Sequence, residues 1–271
     1  MKLKNLTTRI KNDVKRLAGA HSSLILAKHY PHFMRELAAK EQEMPICYMC
    51  SKEGDTDEHV PPKCLFPEQK DLPQGMDLRK ELITVPACED HNSKKSKDDE
   101  YILYCLVVNL PANPIAENYF LSKIMRAIDR NPSLINRIVE NHVPVLVNDT
   151  EKEEWFETAA VSIDTDRFYY ALECMARALF FHYYKRQWLE TVQVEPEFLL
   201  ARGTQNDRLV TDRTEKVSSS SDIAFKEAQY YGKNPEVFTF QIVEGNGKLP
   251  FAMRLHFYGN CRVTVAFRNS G

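Results

Sequence analysis

Cys47-Tyr48-Met49-Cys50, then Asp57-Glu58-His59-Val60-Pro61-Pro62, then Cys88-Glu89-Asp90-His91-Asn92-Ser93-Lys94-Lys95 follow one another in the first half of the chain. The segment that holds them, 45–90, is made of Cys, Pro, Gly and acidic residues with only short apolar stretches. Such a composition cannot build a hydrophobic core of its own, so the segment needs a staple. Cys47-x-x-Cys50 and Cys88-x-x-His91 provide one. Two close pairs far apart in sequence complete a tetrahedral Zn²⁺ site, close the loop between them, and make zinc affinity part of the folding free energy. A lone CxxC would say little. Here a fourth ligand is in place and no βαβ pattern surrounds the cysteines, which favours structural zinc over a redox dithiol. The second pair opens a helix, as in a treble clef. Cys64 is far from either pair and reads as a buried side chain.

Outward from this stretch the pattern changes on both sides. After Asn92 it turns helical, with Tyr101, Leu103, Tyr104, Val107 and Val108 carrying the period until Pro111. Before Pro45, residues 1–44 read as a helical arm with Ile10, Val14 and Leu17 on one face, and hold nine Lys/Arg against four Asp/Glu. Beyond 110 the chain reads as an α+β region. Asn131-Pro132 form an N-cap and first-turn pair for a short helix. Asp166 to about Leu189 is a long amphipathic helix, and the Ser218–Ser221 run is a loop. Val237–Val243, Phe251–Tyr258 and Cys261–Phe267 form a β-meander around turns at Gly245-Asn246-Gly247 and Gly259-Asn260. In the middle strand, Phe251, Met253, Leu255 and Phe257 alternate with Ala252, Arg254, His256 and Tyr258, giving one buried and one polar face. Arg254, His256 and Arg262 share that polar face. The expected fold is therefore α+β, in three parts: a basic helical arm over 1–44, a zinc-stapled module over 45–110, and an accessory region over 111–271 for binding, oligomerisation or regulation.

With 271 residues, 43% of them hydrophobic and 27% charged, the chain is long enough for a sizeable core and ordinary for a soluble protein. The net charge of -2 argues against a uniformly basic, histone-like binder, but local patches rather than the total decide nucleic-acid binding. No secretory leader and no membrane-length apolar run are visible, so a cytoplasmic protein without membrane contact is expected, in a compartment where clustered cysteines serve as metal ligands.

The interleaving of the two pairs with Glu58-His59-Val60-Pro61 and Asn92 resembles the HNH endonuclease family. The resemblance covers the zinc-stapled segment and says nothing of the rest. It implies a ββα-metal fold, a β-hairpin followed by a helix around one catalytic cation. His59 would be the general base that takes a proton from the attacking water, and an imidazole titrates near ~6.5, suiting cellular pH. Glu58 and Asn92 would hold Mg²⁺ or Mn²⁺ through hard oxygen donors, distinct from the zinc held by Cys47, Cys50, Cys88 and His91. Lys94, Lys95 and Lys97 would clamp phosphate. Two departures stand out: Glu58 occupies a position where the family more often has Asp, with Asp57 and Asp55 able to share the role, and the family's middle Asn falls near Ile83 or Thr84, leaving Thr84 as its polar substitute.

The resulting expectation is a metal-dependent endonuclease acting on DNA, with 5′-phosphate and 3′-hydroxyl products. Such a nuclease joined to an unfamiliar companion region would suit restriction or antiviral defence. The alternatives are a non-catalytic zinc module that binds nucleic acid or protein, and a nuclease whose substrate is RNA. Self-association or a protein partner would fall to the accessory region.

Overall fold

A computed structural model describes residues 45–109, 112–132, 142–149, 153–199, 207–245 and 251–269. The helical arm expected over 1–44, with its basic residues, and the short helix expected after Asn131-Pro132 lie outside the described residues. Residues Ile46–Gly271 form one compact unit of mixed α and β structure.

The metal-ligand segment folds first into an antiparallel hairpin, β1 (Thr56–Val60) with β2 (Ile83–Ala87), in which Glu58 faces Val85 and His59 faces Thr84. Two single turns of 3-10 helix, Glu89–His91 and Ser93–Lys95, lead from β2 into helix α1 (Ser96–Val107). Helix α2 (Pro114–Tyr119) opens on Asn113, whose side chain caps the amides of Ile115 and Ala116. It continues through a π-helical turn (Phe120–Ile124) into α3 (Met125–Arg130). Strands β3 (Val143–Asp149) and β4 (Glu154–Ala160) form a separate hairpin.

Helix α4 (Thr165–Tyr184) runs through the centre, N-capped by Asp164, with Phe168, Leu172, Met175 and Leu179 buried as the amphipathic period predicts, whereas Tyr183, expected on the same side, is exposed near the helix end. It ends five residues earlier than expected, because Lys185 turns into the left-handed conformation (φ 55°) and stops the helical ladder. Strand β5 (Thr191–Pro196), helix α5 (Asp207–Ala224), β6 (Tyr230–Asn234), β7 (Phe238–Val243), β8 (Phe251–Phe257) and β9 (Cys261–Arg268) follow. They make a five-stranded antiparallel sheet of order β5-β9-β8-β7-β6, in which β7, β8 and β9 are the expected meander.

The apolar face of this sheet, with Met253, Leu255, Phe257, Val263, Val265 and Phe267, joins one core with α4 and α1 and with Tyr48, Val60 and Val85 of the metal-ligand segment. Its other face corrects an expectation. The Ser218–Ser221 run is not a loop but part of α5, which covers the polar side of the sheet. Ser218 Oγ donates to Glu197 at 2.7 Å and Ser221 Oγ meets Thr264 Oγ1 at 2.9 Å. Serine disfavours helix only mildly, through competing hydroxyl hydrogen bonds, and here two of the hydroxyls are absorbed by the sheet. The guanidinium of Arg254 is buried between Glu197 (2.9 and 2.5 Å) and Asp222 (2.7 Å), and Arg262 shares both carboxylates. The two arginines on this face are thus neutralised from above, while His256 meets Gln241 Oε1 at 3.1 Å.

Polar side chains fasten the sheet region to the metal-ligand segment. Gln187 donates to the carbonyls of Cys47 and Cys50 at 2.6 and 2.8 Å, Tyr258 to Leu65 at 2.6 Å, and the Asn234 amide pairs with the backbone of Lys80 in both directions. Among the described residues no helix is long and apolar enough to cross a membrane.

Candidate metal centre and its neighbouring histidine

The two ligand pairs come together. Cys47, Cys50, Cys88 and His91 place their donor atoms within 4.8 Å of one another, a Cys3His cluster able to hold a zinc ion. Cys50 Sγ lies 3.8 Å from Cys88 Sγ, and His91 Nδ1 lies 3.3 Å from Cys88 Sγ and 3.5 Å from Cys47 Sγ. Tetrahedral zinc with bonds of about 2.3 Å to sulfur and about 2.0–2.1 Å to nitrogen has S···S edges of about 3.75 Å and S···N edges of about 3.5 Å. The donor set and its spacing therefore both fit zinc. Tyr48, fully buried, stands edge-on to the His91 ring and fixes its plane, and the amide of Met49 points at Cys47 Sγ. The thiol of Cys64 is apart from the cluster. It donates to the Asp99 carbonyl and burial pushes its pKa up to about 12.

Outside the cluster, Asp90 bridges Lys52 of the first pair's loop and Lys94, and these two cations hold its carboxyl at about 2. Lys94 is exposed, so this ion pair is weak and can exchange for another anion. Lys97 is also exposed, with its carbonyl taking a hydrogen bond from Arg167. Lys95 departs from the expected phosphate clamp. It is only 4% exposed, sits between Glu58 and Asp99 (2.7 Å), and those two carboxylates keep its ammonium charged against the cost of burial.

Strand alternation explains this. Along β1 the side chains of Glu58 and Val60 turn inward, whereas Asp57 and His59 turn to the other face. Glu58 thus enters the protein, where burial raises its carboxyl above the usual range and Lys95 opposes the rise. His59 is half-buried and has no hydrogen-bond partner among the described residues. Burial, helped by the charges of Lys63 and Arg79, lowers its pKa below the ordinary histidine value and keeps the ring neutral. Thr84 stands directly across the hairpin from it. Asn92 is tied to the same strand: its Nδ2 donates to Thr56 Oγ1 at 2.9 Å and to the Asp57 carbonyl at 3.2 Å. With both donors so used, Oδ1 remains as an acceptor with no hydrogen bond among the described residues.

The structure brings His59, Thr84 and Asn92 to one hairpin and its flank, and separates Glu58 from His59 by the thickness of the strand. Sequence reasoning missed Thr56, Asp99 and Gln187. The Lys95–Asp99 spacing of four on a helix was a usable signal, while nothing local marks Gln187 as the residue that clamps the cluster's backbone. No protein family, curated protein or solved structure matches the chain.

Proposed function

We propose that this chain is a metal-dependent HNH endonuclease that hydrolyses phosphodiester bonds in DNA. The observation that carries the reading is the placement of His59 and Asn92. A neutral imidazole with no hydrogen-bond partner among the described residues lies at the end of a hairpin. An asparagine fastened to that same hairpin, next in the chain to His91 of the Cys3His cluster, offers its remaining oxygen. In this reading the zinc cluster is the staple and β1, β2 and α1 are the ββα unit.

His59 accepts the proton of the attacking water, a role that its lowered pKa suits by keeping the base form populated at neutral pH. Thr84, across the strand pair, is the polar side chain beside it in place of the family's middle Asn. Asn92 Oδ1 and a carboxylate hold the catalytic Mg²⁺ or Mn²⁺. When bound, such a cation supplies the positive charge that offsets charge building on the phosphoryl oxygens and the departing 3′-oxygen. Glu58, the family-like carboxylate, reaches this shell only by releasing Lys95, whereas exposed Asp57 already shares the face of His59. Asp57→Asn is therefore expected to cut Mn²⁺-supported cleavage by about 10²-fold or more, and Glu58→Gln to lower stability first. The reverse pattern, with Glu58→Gln inactive yet as stable as wild type, assigns the carboxylate to Glu58.

The engagement of Glu58 by Lys95 is also the one observation that favours a non-catalytic zinc scaffold. Incubating supercoiled plasmid with the protein and Mg²⁺ or Mn²⁺, beside the His59→Ala variant, separates the two. Matched single- and double-stranded DNA and RNA substrates separate DNA from RNA cleavage.

A further inference from the structure

We infer that the cleft between the Glu68–Asp71 turn and the helical stretch Lys123–Arg130 binds the sugar–phosphate backbone of the nucleic acid and leads it to His59. The inference deepens the nuclease reading and rests on it.

Its first support is position. The hairpin closes at Val60 opposite Ile83, one residue pair beyond His59 and Thr84. The chain leaves that end through Lys63 and returns through Arg79, so both cations flank the end that carries His59. Arg79 donates from Nε and Nη2 to the Phe66 carbonyl at 3.0 and 2.9 Å and lies 3.7 Å from Glu68, which places it between the hairpin end and the cleft.

The second support is that the cleft is built from fixed walls. Tyr119 donates to the Cys64 carbonyl at 2.8 Å, Asn118 to the Asp71 carbonyl at 3.1 Å, and Arg126 to Asp71 Oδ1 at 2.6 Å. The helix and the turn are therefore one rigid border around a cleft of about 530 Å³. Lys123 is held over the ring of Tyr119 and donates to its hydroxyl, aimed rather than free to sweep.

The third support is charge. In a chain of net charge -2, the lining carries Lys70, Lys123, Arg126 and Arg130 against Glu68 and Asp71, and Lys63 and Arg79 extend it toward His59. These cations come from separate stretches of the chain, at 63, 70, 79 and 123–130. A lining of several cations drawn from separate segments fits a chain of phosphates better than one small anion.

The test uses the full-length, zinc-loaded protein with His59→Ala, so that DNA is retained, and a fluorescein-labelled DNA duplex read by anisotropy across a salt series. Lys70→Ala/Arg130→Ala removes two exposed cations and leaves Arg126, whose loss would strand Asp71, whose Oδ2 has no partner among the described residues. The double variant is expected to bind about ten-fold more weakly at low salt, with a salt slope shallower by about 0.9 for each phosphate that is no longer neutralised. Arg130→Glu alone, compared at equal zinc content and unfolding midpoint, gives the same direction should the double variant fold poorly. Unchanged affinity and slope in the folded variants, no duplex binding by the parent, or tighter binding of polyglutamate than of duplex would each overturn the cleft assignment. Failure of the nuclease reading looks different: duplex binding stays sensitive to Lys70 and Arg130 while no protein with His59 intact cuts DNA.

Discussion

The metal-ligand segment and the five-stranded sheet meet in one core, yet they are held by different physics. In the sheet region, apolar side chains from β7, β8, β9 and α4 supply the burial, and the ion network of Arg254, Glu197 and Asp222 lies on the far face under α5. The segment around β1 and β2 gives Tyr48, Val60, Leu65, Phe66, Leu78 and Val85 to the same core. To that burial it adds a Cys3His cluster and the buried trio Glu58–Lys95–Asp99. The difference teaches how each region should fail. Removing one ligand or one charge of the segment should be disproportionate, because it leaves the remaining buried donors or charges without their partner. The sheet should lose stability by degrees.

The largest break in that comparison is Cys88→Ser. Structural zinc binds with apparent free energies of about 10–16 kcal/mol in small zinc modules, so removal of a ligand is expected to unfold the β1–β2–α1 segment. Metal analysis should fall from about one zinc per chain in wild type, retained through EDTA that strips Mg²⁺, to little or none. Hydrogen exchange should show the segment unprotected while the sheet stays protected. Retained zinc with unchanged protection would mean that the cluster is not the staple.

Next in size is Lys95→Ala. It leaves Glu58 and Asp99 buried without their cation, an arrangement that costs about 3–5 kcal/mol. Urea unfolding should report that loss, and a variant as stable as wild type would show that Lys95 is not what balances these carboxylates.

The smallest effect sharpens the sheet side through pH. Arg254 and its neighbours overcome burial and hold Glu197 below the usual carboxylate range, and hydrogen bonding to Arg254 lowers Asp222 as well. Their stabilisation is complete above the ordinary carboxylate value and disappears as pH falls through the lowered folded values. His256 adds a second acid-sensitive contribution. Burial lowers its pKa to about 4, so stability begins to fall once pH drops below the ordinary histidine value of about 6.5. Glu197→Gln should therefore be about 2–3 kcal/mol less stable than wild type at pH 7, below the full cost of a broken buried pair because Asp222 still faces Arg254. The gap should close as pH falls through the lowered folded value, below which the carboxylate is protonated in both states. A gap that stays constant with pH would place the effect in packing rather than charge.

The sequence showed the donor atoms more plainly than the directions in which side chains face. Cysteine and histidine pairs are legible because coordination demands short internal spacing, and α4 and the meander are legible because burial repeats with the helix or strand period. Glu58 was not, because alternation tells only that Glu58 and His59 oppose each other, and which of them enters the core depends on α1 and the turn before it, whose Asp99 and Lys95 receive the carboxylate. The Ser218–Ser221 stretch was misread because its helix is stabilised by the sheet beneath it. β5 and β6 were missed: β5 ends on Glu195-Pro196, and β6 is short and carries Gly232, signals too weak to mark strands without their partners.

His59 working as a base on a zinc-stapled hairpin is the central claim. The most direct test is nicking of supercoiled plasmid by wild type and His59→Ala, each with Mg²⁺ or Mn²⁺ and matched for zinc content. Metal-dependent nicking by wild type, and its loss in a folded, zinc-replete His59→Ala, is the predicted result. Equal nicking by both proteins, or none by wild type with either metal, would contradict it.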